Sequence, residues 1–273
     1  MPDKFFRSTF PADVGELPSI DTSVAHIARV YDFWLGGKDN FAVDREVGKQ
    51  VLEIHPETVL SVRANRAFLA RSVRYLAEQG IRQFLDVGTG LPSGNNTHEV
   101  AQTVAPESRV AYVDNDPIVL THARALLTSA SEGATAYVQA DIRDTAEVLA
   151  SAAETLDLSQ PVAVMALMIL QYVPDEDDPW GIVARLVDAL APGSYLTISD
   201  TVRDIDTERV TEGTARLNER MGPTRLTLRS RPEFERFFSN LEMVEPGIVP
   251  PPEWRGPGSE YPIPCYAGMG RKP

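Results

Sequence analysis

The chain has 273 residues, 43% hydrophobic and 24% charged, the balance of a globular protein with a sizeable core. Its formal net charge is −13 and no Lys/Arg run interrupts the acidity, which argues against nucleic acid as a partner. A single cysteine, Cys265, cannot form an internal disulfide and suits a reducing cytoplasmic setting. Met1 to Phe10 mixes charges with aromatics and has no apolar core, so no signal peptide is expected there. The longest apolar run, Val162 to Leu170, is too short to cross a bilayer, so no membrane role is expected either.

Residues 1–80 read as strand-poor and helical, a cap ahead of the main fold. A helix is expected to start at Asp21 or Thr22, with Val24, Ile27, Val30 and Tyr31 on one face. The loop Leu35-Gly-Gly-Lys-Asp-Asn40 interrupts it, and its paired glycines, cation and short polar side chains suit a loop folded over a ligand. Helices follow from Asp44 to Ile54 and from Leu60 through Leu76 to a stop at Gly80.

Residues 81–273 alternate apolar runs with helical stretches. Strands are expected at Gln83–Val87, Arg109–Val113, Ala134–Gln139, Val162–Leu167 and Tyr195–Ser199. Helices are expected between them at Thr97–Val104, Pro117–Thr128, Thr145–Thr155 and Trp180–Leu190. Strands that are apolar on both faces and joined by helices imply a doubly wound, mostly parallel α/β sheet. A long helix, Asp206 to Met221, comes next, then a shorter one whose start, Ser230-Arg-Pro-Glu233, has capping-box spacing. Two last strand-like runs, Glu242–Val249 and Cys265–Met269, flank the loop Pro250-Pro-Pro-Glu-Trp, which Trp254 and Tyr261 should pack down.

The chemistry concentrates at strand ends. Asp86-Val-Gly-Thr-Gly90 is an acid followed by a tight turn in which Gly88 and Gly90 can take positive φ. Asp114 closes the second strand, where a carboxylate can accept from ribose hydroxyls, and Asp116 caps the helix starting at Pro117. Asp141 closes the third, followed by Ile142, a pair suited to an adenine amine and ring. Arg63, Asn65 and Arg66 lie on a helix with Val62, Phe68 and Leu69, and an Arg there can hold a carboxylate. Tyr31, Phe33 and Trp34 read as core before cofactor box. His98 and His122 read as structural, whereas Tyr31, Tyr172 and Asp200 are better placed near the pocket.

This set resembles the class I S-adenosylmethionine-dependent methyltransferases. Asp86-Val-Gly-Thr-Gly90, Asp114 and Asp141-Ile142 match their motifs, as do Leu170-Gln-Tyr-Val-Pro-Asp175 and Leu190-Ala-Pro-Gly-Ser-Tyr-Leu196. The N-terminal part resembles the S-adenosyl methyltransferase family abundant in actinobacteria. The residues concerned are Ala28-Arg-Val-Tyr-Asp-Phe-Trp-Leu-Gly-Gly-Lys-Asp-Asn-Phe41, Arg63-Ala-Asn-Arg-Ala-Phe-Leu69 and the turn through Ser93. The resemblance implies a Rossmann-like sheet of seven strands with the last antiparallel and S-adenosyl-L-methionine as cofactor; it does not supply the acceptor, which the acidic composition alone suggests is a small molecule. The cofactor residues it implies are Asp86, Gly88, Thr89, Gly90, Asp114, Asn115, Asp141, Ile142 and Met168, with Tyr31, Asn40 and Arg63 from the cap.

Two departures bear on this. Leu91-Pro92 stands where a dinucleotide turn carries its third glycine, a change that harms a pyrophosphate site more than one for S-adenosylmethionine. Gln171-Tyr172 stands where related enzymes often have a His-containing motif, so no catalytic base is assigned. No metal cluster is evident. An NAD-dependent oxidoreductase and a non-catalytic cofactor-binding regulator are the alternative readings.

Overall fold

A computed structural model describes residues 22–126 and 128–273. The chain forms, in order, α1 (Ile27–Leu35), α2 (Ala42–Ile54), α3 (Thr58–Glu78), β1 (Gln83–Val87), α4 (Thr97–Val104), β2 (Arg109–Asp114), α5 (Pro117–Leu126) and β3 (Ala134–Gln139). Then come α6 (Thr145–Ala152), β4 (Ala163–Leu167), α7 (Pro179–Asp188), β5 (Tyr195–Thr201), α8 (Thr207–Arg220), α9 (Arg231–Glu235), β6 (Glu242–Met243) and β7 (Cys265–Arg271). The strands make one seven-stranded sheet in the order β3-β2-β1-β4-β5-β7-β6. β1 to β5 pair in parallel and β7 runs antiparallel between β5 and β6. The order reverses between β1 and β4, and open α/β sheets bind ligands at the carboxyl ends beside such a reversal.

Period-two alternation assigns each strand residue to one of two covered faces. Leu85, Val113, Val164 and Ile198 pack under α6, α7 and Phe234, Phe237 and Phe238. Phe84, Tyr112 and Met165 pack on the opposite face beneath Phe68, Val73 and Leu76 of α3. A third cluster joins Val30, Trp34, Val47 and Val51 to Leu217, Met221 and Leu226. The roof of the molecule is therefore composite: α8, which follows β5, packs with the N-terminal helices. α3 serves two layers, with Val62 in the roof and Phe68 onward on the sheet.

The strand expectations hold to within two residues for β1 to β5. The first helix starts later than expected, at Ile27 with His26 as its N-cap, and Val24 is exposed. The proposed cap Asp21 lies outside the described residues, as does Leu127 near the end of α5. Glu242–Val249 is not one strand: only Glu242 and Met243 join β7 continuously, and Val249 makes an isolated bridge to Ala267. Pro246, which lacks an N–H, and Gly247 at φ +85° form a turn between them.

The proline-rich loop is packed as expected, through Trp254 more than Tyr261. Trp254 is fully buried, edge-on to Phe68 at 5.3 Å and Tyr75 at 5.8 Å, while Tyr261 is 55% exposed. Arg71 fastens the loop, donating to the carbonyls of Trp254 at 3.0 Å and Pro251 at 2.6 Å. Among the described residues, no helix is long and apolar enough to cross a membrane. Trp254→Ala should cost about 3–5 kcal/mol by denaturant titration; a loss under about 1 kcal/mol would show that the loop is not part of the core.

Candidate functional site

At the carboxyl ends of β1, β2, β3 and β4 lies a cavity of about 510 Å³. Asp86, Gly88, Thr89, Gly90, Asp114, Asn115, Asp141, Ile142, Met168 and Tyr31 all line it. These residues come from five separate stretches, and the strand-end geometry brings them to one place.

The turn after β1 is shaped from both sides. Gly88 and Gly90 take φ +74° and +66°. A Cβ on Gly88 would meet Ile169 at 2.6 Å, so that glycine makes room for the chain after β4. A Cβ on Gly90 would meet nothing within 4 Å, so it leaves the cavity side open. The turn's amides are spent inside the protein. Gly88 N donates to Val113 O at 2.8 Å and Gly90 N to Asp114 Oδ2 at 2.9 Å. A turn whose amides point inward suits a ligand without a phosphate to cradle. Leu91, in place of the third glycine, fills a small cluster with Ile118 and Val119 of α5.

Asp114 holds two loops together, because its other oxygen accepts from Asp116 N at 2.9 Å. Each of its oxygens then has one lone pair left for a ligand hydroxyl. Burial raises its pKa. Asp116 caps α5 by accepting from Ile118 N at 2.8 Å, and His26 Nδ1 lies 3.0 Å from its other oxygen. Burial opposes ionisation of Asp116, but the His26 contact holds its pKa below the ordinary value. His26 also lines the cavity, so the start of α1 is tied to the β2 loop.

Asp86 is buried, and burial raises its carboxyl to about 6 against the pull of a 2.5 Å bond from Thr97 Oγ1 and the Arg66 charge. Arg66 lines the same cavity and donates through Nη2 to the carbonyls of Gly94 and Asn95. Its Nε is buried without a partner. A guanidinium and a carboxylate lining one cavity match the two ends of an amino-acid group.

Asp141 arrives already gripped. Arg143 donates to Oδ1 at 2.9 Å and Oδ2 at 2.6 Å, and these bonds keep the carboxyl below its ordinary pKa. Ile142 is buried beside it. Met168, at the end of β4, takes φ +58°, an uncommon conformation for a side-chain-bearing residue, and its N–H donates to Ser199 O at 2.6 Å. The chain beyond is clamped by Arg229, 2% exposed, which donates to the carbonyls of Leu170 and Val173 and to Asp175.

Two expected residues are not in the lining. Arg63 is exposed on the outer side of α3. Helical spacing accounts for this: 63, 67 and 74 face outward, while Val62, Asn65 and Leu69 face inward with Arg66 on their stripe. Asn40 is buried on Asp32, donating to its Oδ2 at 2.7 Å, and Arg45 binds it from the other side. The 36–40 loop folds onto Asp32 instead of over the cavity: Gly36 ends α1 at φ +83°, and a Cβ on Gly37 would collide with the Asp32 carboxylate.

Among the remaining candidates, Tyr31 and Tyr172 line the cavity, and burial pushes both phenols up, Tyr31 to about 12. Tyr31 OH donates to Val62 O and accepts from Asn65, which in turn accepts from Ser199 Oγ at 2.6 Å. Gln171 is structural, with Oε1 accepting from Thr201 N at 2.7 Å. Asp200 is buried at the end of β5 outside the lining, and burial raises it to about 8 against the Arg229 charge. His98 bonds Tyr112 OH at 2.7 Å, and His122 Nδ1 contacts Ile118 O at 3.0 Å, both structural placements. His26 was not anticipated; its signal was only a polar residue just ahead of an apolar helical stripe.

A model of the S-adenosyl methyltransferase family matches residues 14–273. A DUF574 family protein from Streptomyces avermitilis MA-4680 is 45% identical with TM-score 0.90, the match covering 93% of this chain and 100% of that one. A presumed methyltransferase from Thermobifida fusca YX is 40% identical with TM-score 0.84, covering 95% and 99%. The plantazolicin methyltransferase BpumL, at 12% identity and TM-score 0.51 over 90% and 96%, shares the fold alone. No curated protein matches the chain. The family match takes in both the sheet and the helices that roof it: the chain belongs to the S-adenosyl methyltransferase family and is a methyltransferase that uses S-adenosyl-L-methionine as cofactor.

Proposed function

We propose that the chain methylates a small molecule bound beneath the roof of α1, α2 and α8. The observation that carries this is a shared boundary: Tyr31, Met168 and Tyr172 line the strand-end cavity and also a second, small apolar space under those helices. A space of about 70 Å³ suits a small molecule as acceptor.

The residues divide the cofactor among them. Asp114 takes the ribose hydroxyls on its two free lone pairs, with Asn115 beside it. Ile142 packs on the adenine, and Asp141, set by Arg143, faces its amine. Asp86 and the Arg66 guanidinium take the ammonium and carboxylate of the methionine end. Thr89 and Gly90 form the wall between. When bound, the cofactor supplies a methyl group activated by a sulfonium. Tyr31 and Tyr172 stay protonated at neutral pH, so they would orient the acceptor by contact and hydrogen bonding and would not act as a base. Catalysis on this account is alignment and exclusion of water.

Incubating the protein with methyl-labelled S-adenosylmethionine and a cell extract should put label into the low-molecular-mass fraction. Label confined to protein or nucleic acid would refute the small-molecule acceptor. Asp114→Ala should abolish measurable S-adenosylhomocysteine binding by calorimetry and also cost about 1–3 kcal/mol, because two amides lose their acceptor. Asp114→Asn keeps one acceptor oxygen but sets an NH2 against the other amide, so it should recover at most about half of that stability and not the affinity; retained affinity in the alanine variant would contradict the assignment. Arg66→Ala should weaken binding about tenfold or more while Arg63→Ala leaves it within about twofold. The reverse order would restore Arg63 to the site.

A further inference from the structure

The enzyme's second space measures about 70 Å³ and lies between α2, α3 and α8. It is about half the volume of the cavity of roughly 150 Å³ that holds benzene in an engineered protein. Val51, Val62, Val210, Leu217 and Trp34 give it an apolar wall.

Its charged lining residues are already neutralised. Arg209 reaches Glu57 at 3.1 Å and Asp206 at 2.9 Å, and His55 Nε2 lies 3.2 Å from the same Asp206 carboxylate. A carboxylate or ammonium entering here would lose its hydration and find no free counter-charge. His55 Nε2 faces Asp206 at 3.2 Å without a well-formed hydrogen bond, so the polar edge this pair forms meets a neutral hydroxyl or amide better than a charge.

A glycine keeps the space open. Gly213 is buried in the interior of α8, where glycine costs about 1 kcal/mol relative to alanine. Neither a turn nor a close backbone contact demands it. Its φ is ordinary, and a Cβ would meet only Val51 Cγ1, at 3.9 Å. A larger side chain at 213 would project into the chamber.

We propose that this chamber seats the methyl acceptor, which is a compact neutral molecule with an aliphatic body of about three heavy atoms. Its nucleophile faces the cofactor across the gate of Tyr31, Met168 and Tyr172. The proposal rests on the methyltransferase site above and adds to it the class of acceptor and the residue that sets its size.

The test is a graded series, Gly213→Ala, Gly213→Val and Gly213→Leu, probed with xenon by nuclear magnetic resonance. Xenon should bind the wild-type protein, more weakly with alanine and not at all with leucine, while circular dichroism is unchanged. S-adenosylhomocysteine affinity should stay within about twofold throughout, since the cofactor cavity is not altered. In wild-type protein, 1-propanol should displace xenon at a concentration at least about tenfold below that of propionate, its charged counterpart. Xenon binding that is absent in the wild type, or indifferent to residue 213, would overturn the chamber. Equal displacement by propionate would overturn the neutral class. If the leucine variant fails to fold, the alanine variant carries the comparison, because its Cβ meets no close contact. Failure of the wild-type protein to bind S-adenosylhomocysteine would instead refute the cofactor site and leave the xenon result standing on its own.

Discussion

The site depends on one buried carboxylate used twice. Asp114, at the end of β2, accepts from Gly90 N in the turn after β1 and from Asp116 N in its own loop. Removing an acceptor from two buried amides leaves both unsatisfied, so the loops hold each other in register. Asp116 extends the chain of bonds by capping α5 and contacting His26 at the start of α1. The glycine turn, Asp114 and the first helix of the roof thus form one connected unit. A ligand in the cavity meets a surface that is already organised, which lowers the ordering cost of binding.

The roof is built from two distant parts of the chain. α8 arrives after β5 yet packs with α1 and α2, and its Leu217 shares a cluster with Trp34 and Val51. Tyr31, Asn65 and Ser199 form a hydrogen-bonded line from α1 through α3 to β5. Arg229 braces the loop after β4 that carries Tyr172. These connections place the gate residues between the cofactor cavity and the chamber under the roof, where positioning is most useful to a displacement reaction.

Much of this was legible in the sequence, for physical reasons that differ by region. β1, β2 and β4 stand out because both of their faces are buried, which leaves near-continuous apolar runs, whereas β3 at the sheet edge is half-buried and is marked by its β-formers. The three strand-end acids were legible because the doubly wound topology sends those positions to one edge. Arg63 against Arg66 was a matter of helical phase: the outward positions 63, 67 and 74 are visible in the pattern, but only once Val62, Asn65 and Leu69 are taken as the inner stripe. The Leu35–Asn40 loop misled because glycine serves helix ends and close packing as readily as ligands; here Gly37 accommodates Asp32. The joining of α8 to the N-terminal helices, and the contact of His26 with Asp116, are long-range events that no local pattern records.

The central claim is that the acids at the ends of β1, β2 and β3, with Arg66, form one site for S-adenosylmethionine and not for a dinucleotide. Thermal denaturation with added ligand tests it directly. S-adenosylhomocysteine should raise the melting temperature of the full chain in a concentration-dependent way, and NAD should leave it unchanged. A shift with NAD and none with S-adenosylhomocysteine would contradict the account.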